Sequence, residues 1–361
     1  MTKLKKLQKA LKEKNIQGIL ISSEVNQRYV SDFAYTDGYI IVFPEKAYLL
    51  TDFRYIEAAE KEVSAEDFEI IQPKYSQLKL LSELAEKNGV KEVLVEDYTL
   101  SMNDLSRLES AAEGKVKYAP GGSRIIDGMR AVKDEKELDA MARAQDITDA
   151  AFTHILNFIK LSMTEKEIAL ELEFFMRKNG AERTSFDTIA VSGTASSMPH
   201  GVPRDQKLER GFLTMDFGCV VDGYCSDMTR TVCIGKADDE MKKLYNTVLK
   251  AQKEALAAAA AGERGCHKLD YIARDIINGA GYEGCFGHSL GHGVGMYIHE
   301  SPRLAPGIDK SELLVTGNVV TFEPGIYIPD KYGCRIEDMA AITDNGIRNF
   351  THSTKDFIEI Y

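Results

Sequence analysis

The chain has 361 residues, of which 44% are hydrophobic and 28% are charged. This composition is typical of a soluble globular protein, and the length predicts two domains, because a domain commonly takes about 100–200 residues. The formal net charge of −11 argues against a nucleic-acid partner, since an acidic surface repels phosphate groups. No apolar run approaches the roughly 20 residues of a membrane-spanning helix, so no membrane partner is expected either.

Two features bear on cellular location. Six lysines lie within the first fourteen residues, where Leu4, Leu7 and Leu11 recur at helical spacing. The pattern favours a solvated amphipathic surface helix, and it lacks the apolar core of a signal peptide. The six cysteines include no CxxC pair, which favours free thiols in a reducing compartment. We therefore expect a cytoplasmic protein.

Residues 1–122 are predicted to form an α/β domain, because strands and helices alternate there. The predicted strands, rich in β-branched and aromatic residues, are Gln17–Ser22, Gly38–Phe43, Ala47–Thr51, Phe68–Gln72, Val93–Asp97 and Val116–Tyr118. The predicted helices are Arg54–Glu62, Gln77–Asn88 and Met102–Ala112. The sequence Pro120-Gly121-Gly122 interrupts the pattern and is taken as the domain boundary.

Residues 123–361 are predicted to form a second mixed domain. Its predicted helices are Asp134–Ile159, Glu165–Asn179, Asp239–Ala261 and Lys268–Ala280, and its first strands are Thr188–Ser192 and Phe212–Phe217. Thr164 and Glu167 have the spacing of a capping box. From Gly284 onward the sequence is rich in glycine, proline and short strands.

A hairpin around Asp222-Gly223 is the first candidate site. This dipeptide between two β-rich runs predicts a type I′ turn, which would pair Asp216 with Thr229. Asp227 would then lie diagonal to Asp216 on the same face. Two such carboxylates could hold metal ions, although turn-flanking or solvent-facing aspartates would give the same pattern.

Three of the seven histidines, His288, His292 and His299, fall within twelve residues among several glycines. Glycine lets a backbone approach a site closely, whereas three satisfied core histidines would not need that setting. The stretch therefore favours a functional site.

Two further stretches carry acids. Glu323 ends an apolar β-branched run, and a buried glutamate needs a partner or a metal; an exposed strand end is the simpler alternative. Arg335 and Glu337 would share one face of a strand, so a plain salt bridge between them is also open. Carboxylates with imidazole suit Mn²⁺, Co²⁺, Fe²⁺ or Zn²⁺, and four carboxylates would balance the charge of two divalent ions, leaving positions for a bridging water.

In order and spacing, these motifs resemble the metallopeptidase family with the pita-bread fold, which includes prolidase, aminopeptidase P and methionine aminopeptidase. The resemblance rests on four stretches: Asp216-Phe-Gly with Gly223–Thr231, Gly287–Glu300, Glu323–Tyr327 and Arg335–Asp338. Asn26–Tyr29 and Thr51–Tyr55 resemble the amino-terminal domain of prolidases, aminopeptidases P and creatinases. The resemblance thus implies a creatinase/prolidase-like α/β domain over 1–122 and a pita-bread catalytic domain over 123–361.

The resemblance also implies the roles of individual residues. The implied metal ligands are Asp216, Asp227, His292, Glu323 and Glu337, with Asp227 and Glu337 bridging two ions. Glu323 is also the implied proton shuttle. His200 and His299 match substrate-site histidines, His288 would line the same pocket, and Arg335 would steady the site. Arg303 matches a residue near the substrate. His154, His267 and His352 match nothing and are expected to be structural or exposed.

By the same resemblance we expect a metal-dependent exopeptidase, with Mn²⁺ favoured and Co²⁺ or Zn²⁺ possible, that acts on proline-containing peptides. The match through Ser185–Ile189, Met198–Gly201 and Gly223–Thr231 favours an Xaa-Pro aminopeptidase of the aminopeptidase P type, with an Xaa-Pro dipeptidase (prolidase) as the alternative. A creatinase-like enzyme or a non-catalytic binding protein would have lost ligands that this chain retains. A homodimer is expected, in which the first domain helps to close the partner's site.

Overall fold

The computed structural model describes residues 1–361. The chain forms two compact units, Met1–Met129 and Arg130–Tyr361. No helix is both long enough and apolar enough to cross a bilayer.

The first unit contains a six-stranded mixed sheet. Its strands are β1 (Ile19–Ile21), β2 (Gly38–Val42), β3 (Ala47–Thr51), β4 (Glu69–Ile71), β5 (Glu92–Val95) and β6 (Lys117–Ala119), in the order β4-β3-β2-β1-β5-β6. The helices are α1 (Lys3–Glu13), α2 (Glu24–Ser31), α3 (Ile56–Glu62), α4 (Gln77–Lys87) and α5 (Met102–Ala112). Pairs β1–β5, β5–β6 and β3–β4 are parallel, while β2 runs antiparallel to both neighbours.

Helix α6 (Gly122–Ala131) ends in the second unit, whose other helices are α7 (Glu135–Phe158), α8 (Glu165–Lys178), α9 (Asp239–Ala260) and α10 (Cys266–Gly279). Its strands are β7 (Arg183–Thr184), β8 (Ile189–Ser192), β9 (Gly211–Phe217), β10 (Cys219–Val221), β11 (Tyr224–Cys225), β12 (Met228–Ile234), β13 (Gly291–Gly293), β14 (Glu300–Leu304), β15 (Val319–Phe322), β16 (Gly325–Ile328), β17 (Tyr332–Arg335), β18 (Asp338–Thr343), β19 (Gly346–Asn349) and β20 (Glu359–Ile360). A short 3₁₀ helix covers Gly193–Ser197.

Two helix pairs cover the sheets of the second unit. Helices α7 and α8 bury Phe152 and Leu172 against Met215 of β9, within the sheet β20-β12-β9-β8. Helices α9 and α10 bury their apolar faces against β15 and β18, within the sheet β14-β13-β15-β18-β19. The predicted capping box of Thr164 and Glu167 is confirmed at the start of α8, and a second one, formed by Asp134 and Glu137, opens α7.

The predicted hairpin register is confirmed. Asp222 and Gly223 both have positive φ, 49° and 84°, Val221 pairs with Tyr224, and Asp216 pairs with Thr229. The pairing continues through β9 and β12, with a break at Gly218. Side chains on one face alternate with period two, so Asp216 and Asp227 project from the same face.

Candidate metal centre

Strand pairing brings the four candidate carboxylates together although they are far apart in sequence. Asp216 opposes Thr229 on the β9–β12 pair, and the backbone N–H of Glu337 donates to the Thr229 carbonyl at 3.1 Å. Phe322 opposes Asp338 on the β15–β18 pair. Glu323 and Glu337, the residues next to that pair, therefore lie at the same end of the sheet as the hairpin aspartates.

His292 completes the cluster from β13. Its backbone N–H donates to Thr321 Oγ1 at 3.1 Å, which ties β13 to β15 just before Glu323. Ligand atoms of Asp227, His292 and Glu337 all lie within 4.8 Å of one another. His292 Nε2 lies 3.6 Å from Asp227 Oδ2 and 3.3 Å from Glu323 Oε1.

Burial makes the carboxylate charges costly. Loss of solvent, reinforced by the neighbouring acids, raises the pKa values of Asp227 and Glu337 well above their ordinary range. Burial likewise raises the pKa of Glu323 to about 8, against the opposing effect of Arg335. Buried acids that resist ionisation on their own favour a cation among them.

Available lone pairs on His292 and Asp216 support a metal at this place. The Nδ1–H of His292 donates to the Gly293 carbonyl at 3.1 Å, an assignment that follows from the partner, because a carbonyl can only accept. Burial lowers the pKa of His292 to about 4, so its Nε2 presents a lone pair to two carboxylates. Asp216 Oδ1 is also buried without a hydrogen-bond partner. Lone pairs that converge in this way fit divalent cations.

Arg335 is buried on β17, and each of its three guanidinium nitrogens donates to a different partner. The resemblance implied that this residue steadies the site. Nη2 donates to Asp216 Oδ2 at 2.6 Å, Nε donates to Thr229 Oγ1 at 3.0 Å, and Nη1 donates to the hydroxyl of Tyr327 at 2.7 Å. The Thr229 hydroxyl in turn donates to Glu337 Oε2 at 2.6 Å. The simple alternative of a salt bridge between Arg335 and Glu337 is therefore wrong, since the guanidinium pairs with Asp216.

Tyr327 is a further candidate site residue, which the motifs did not indicate. Burial raises its pKa to about 12, and its hydroxyl lies 3.0 Å from His288 Nε2. The Nδ1–H of His288 donates to the Ser289 carbonyl at 2.8 Å, so Nε2 accepts from Tyr327. A directed chain of hydrogen bonds thus runs from Arg335 through Tyr327 to His288.

The remaining candidates lie at the open side of the cluster. His299 is exposed, and its ring lies edge-on to that of His292 with centroids 4.4 Å apart. Burial lowers the pKa of His299, and the charges of Arg303 and His200 lower it further. Arg303 is exposed on β14 opposite His292. Of the histidines expected to lie outside the site, His154 pairs with Glu171 at 2.7 Å.

Comparison with known proteins gives matches along almost the entire chain. The profile described as Metallopeptidase family M24 matches residues 139–344, and that of the Creatinase/Prolidase N-terminal domain matches residues 3–132. The chain is 36% identical to a protein named Xaa-Pro dipeptidase from Pyrococcus horikoshii, over 99% of this chain and 98% of that protein.

Solved structures agree with these matches. An Xaa-Pro dipeptidase from Bacillus anthracis superposes with a TM-score of 0.93 at 38% identity, covering 99% of both chains. An X-Pro aminopeptidase from Thermotoga maritima superposes with a TM-score of 0.88 at 36% identity, covering 96% of this chain and 98% of that chain.

Proposed function

Because the chain belongs to metallopeptidase family M24, we propose that it is a metal-dependent peptidase that hydrolyses Xaa-Pro dipeptides. These matches confirm the family resemblance that the motifs indicated. They also confirm the mixed α/β fold with a creatinase/prolidase-like first domain. The observation that carries the proposal is the convergence of the Asp227, Glu323 and Glu337 carboxylates on the unprotonated Nε2 of His292.

The proposed ligands of the divalent ions are the carboxylates and the imidazole of that cluster: Asp216, Asp227, His292, Glu323 and Glu337. Two ions are proposed, because four carboxylates would balance four positive charges. Bound there, the ions supply Lewis acidity, which polarises a carbonyl and acidifies water.

The protein's own groups perform the proton transfers. Glu323 takes a proton from the attacking water and passes it to the proline nitrogen, which has no N–H of its own. Glu323 suits this role because Thr321 Oγ1 donates to its Oε1 at 3.1 Å while 15% of its side chain stays exposed. His299 and His200 donate hydrogen bonds to substrate carbonyl oxygens, and Arg335 holds Asp216 in place.

The dipeptidase alternative is better supported than the aminopeptidase that the motif comparison favoured. Two relatives described as Xaa-Pro dipeptidases match over 99% of the chain at 36% and 38% identity. A dipeptidase needs a cation for the free carboxylate of its substrate, and Arg303, which is exposed on β14 opposite His292, is the proposed one. The Xaa-Pro aminopeptidase is the second candidate, since a structure so described matches at 36% identity.

The deciding experiment compares Ala-Pro with Ala-Pro-Ala in one preparation reconstituted with Mn²⁺. We expect kcat/KM to favour the dipeptide at least tenfold, about 1.4 kcal/mol of transition-state binding, and a chelated sample to be inactive until Mn²⁺ or Co²⁺ returns. Arg303→Ala should remove most of this preference, whereas Arg348→Ala, which removes an exposed arginine of β19, should not. A preference for the tripeptide would make the protein an aminopeptidase, and full activity without metal would refute the mechanism.

The cytoplasmic location, the homodimer and the choice of Mn²⁺ stay predictions. Light scattering at micromolar concentration tests the dimer, and elemental analysis of the purified protein tests the metal.

A further inference from the structure

Glu300 follows His299 directly, and its carboxylate lies in a buried charge cluster that the reaction above does not use. The Glu300 side chain is 3% exposed, and it pairs with two cations from the end of α6 and the residues after it. Arg130 Nε donates to Oε1 at 3.1 Å, and Lys133 Nζ donates to Oε2 at 3.2 Å. The two cations are themselves 5% and 1% exposed, and desolvating three charges together is costly unless they are well paired.

The same carboxylate contacts residues 293–298, the segment that connects His292 to His299. Oε1 accepts from the backbone N–H of Tyr297 at 3.0 Å, and the Arg130 guanidinium lies 4.8 Å from the centre of the Tyr297 ring. A Cβ on Gly295 would lie 2.5 Å from Glu300 Oε2. The backbone of the segment therefore passes so close to the carboxylate that only glycine fits at this position.

Strand pairing alone does not fix where His299 lies. The register of β13 and β14 shifts between His292 and Gly293, and the residues between the two strands lie outside the ladder. The opposite side of the segment is held by the hairpin that carries Asp227, since Cys225 N donates to the Gly295 carbonyl at 2.8 Å. The segment is thus clamped between the buried charges and the proposed metal centre.

We propose that Arg130, Lys133 and Glu300, here called the Glu300 clamp, are positioning residues that hold the His299 imidazole against His292 and thereby set the turnover rate. This inference rests on the proposed peptidase function. The polar atoms of the clamp pair with one another and with the segment's backbone, so the clamp acts through His299 and not on the substrate.

The test begins with Glu300→Gln, which keeps the shape of the side chain but removes the charge that both cations need. We expect kcat for Ala-Pro to fall about 10- to 100-fold, because displacing a positioned group by about 1 Å costs that much, while the metal content by elemental analysis stays at the wild-type value. In a His299→Ala background, Glu300→Gln should cause no further loss of kcat.

A second variant tests the charge pairing. Glu300→Gln should lower the temperature of the unfolding midpoint, and adding Lys133→Met should recover part of that loss, because it removes an unpaired buried cation.

Glu263→Gln is the matched control, since it removes a hydrogen-bonded carboxylate at the turn between α9 and α10 that contributes nothing to the site. It should leave kcat and the His299 ring resonances unchanged, whereas Glu300→Gln should shift those resonances. Arg130→Lys, a milder change, should shift them in the same direction and substitutes for Glu300→Gln if that variant does not fold.

The outcomes separate the clamp from the proposed function. An equal fold-loss of kcat in the wild-type and His299→Ala backgrounds would refute positioning through His299, as would loss of metal from Glu300→Gln. If the wild-type protein does not cleave Xaa-Pro peptides, the proposed function fails. The His299 resonances would still test the clamp, and unshifted resonances in Glu300→Gln would refute it.

Discussion

His292 and His299 lie with their rings 4.4 Å apart, yet their surroundings give them different roles. The Nε2 lone pair of His292 faces two carboxylates at 3.3 and 3.6 Å, whereas His299 is exposed at the open side of the cluster. We expect His292→Ala to lower the metal content of the purified protein. His299→Ala should retain its metal and lose about 10²-fold in kcat, the usual effect of removing one donor to a developing oxyanion.

Elemental analysis and steady-state kinetics on the same samples check this pair of variants. His352→Ala, which alters an exposed histidine, serves as the control and should change neither quantity. Equal loss of metal from both variants would mean that the ligand has been assigned to the wrong histidine.

Some residues of the cluster can be recognised as site candidates from the sequence, and others cannot. Asp216 and Glu323 interrupt apolar β-rich runs, where an acid is unusual and calls for a partner. Thr229 and Tyr327 are ordinary residues for a strand, and nothing in their spacing tells that their hydroxyls link Arg335 to Glu337 and His288. Such supporting residues become apparent only when the strands are placed side by side.

The hairpin that carries Asp216 and Asp227 depends on one close backbone approach. At the break between β9 and β10, a Cβ on Gly218 would lie inside the van der Waals radius of the Ser226 carbonyl oxygen, one residue before Asp227. Gly218→Ala should therefore push the strands apart, at a cost of about 1–3 kcal/mol for overpacking, and weaken metal binding by moving Asp227.

Thermal unfolding and metal titration check this expectation. Gly279→Ala at the end of α10 is the control, because its Cβ would meet nothing within 4 Å. That variant should be neutral or stabilised by about 0.4–1 kcal/mol through the unfolded chain. Wild-type stability and metal affinity in Gly218→Ala would show that the hairpin tolerates a wider separation.

Elements with strong local signals could be predicted from the sequence, and others could not. The Asp222-Gly223 turn determined the register of the hairpin, because a type I′ turn leaves one pairing. Helix α2 was missed, since it has eight residues and its apolar periodicity is short. Helix α6 was not predicted because it starts at Gly122, which belongs to the Pro120-Gly121-Gly122 stretch that was taken as the domain boundary. The register shift at His292/Gly293 lies where the His292 N–H donates to Thr321 of a strand distant in sequence, and no local pattern predicts it.

Substrate preference is a property of the folded site and could not be read from the motifs. Xaa-Pro dipeptidases and aminopeptidases carry the same ligand motifs by the resemblance described above. In the function proposed above, a cation at the far side of the proline separates the two activities, and its position depends on the folded placement of side chains such as Arg303. The expectation of an aminopeptidase therefore rested on the motifs alone, and matches along the full chain favour the alternative.

The metal-free protein should become less stable as the pH rises from about 6.5 to 8. Burial raises the pKa of Glu323 to about 8, and those of Asp227 and Glu337 are raised as well. A carboxyl group with a higher pKa in the folded state favours folding at low pH, and this contribution is lost as the pH rises from its unfolded value, about 4, through its folded value.

The histidines oppose this trend only at lower pH. Burial lowers the pKa values of His288 and His292 to about 3 and 4, so their contribution grows as the pH rises toward the unfolded value of about 6.5 and is constant above it. Between pH 6.5 and 8 the acids therefore dominate, and the unfolding midpoint of the chelated protein should fall by a few degrees, at about 2–4 °C per kcal/mol.

Two controls test the cause of this fall in the midpoint. Saturating Mn²⁺ should abolish the fall, because bound cations compensate the carboxylates and stabilise the folded state. Glu323→Gln should make the fall smaller. Calorimetry of chelated and Mn²⁺-loaded samples across this range checks the expectation, and a midpoint that rises with pH in the chelated sample would contradict the buried acidic cluster.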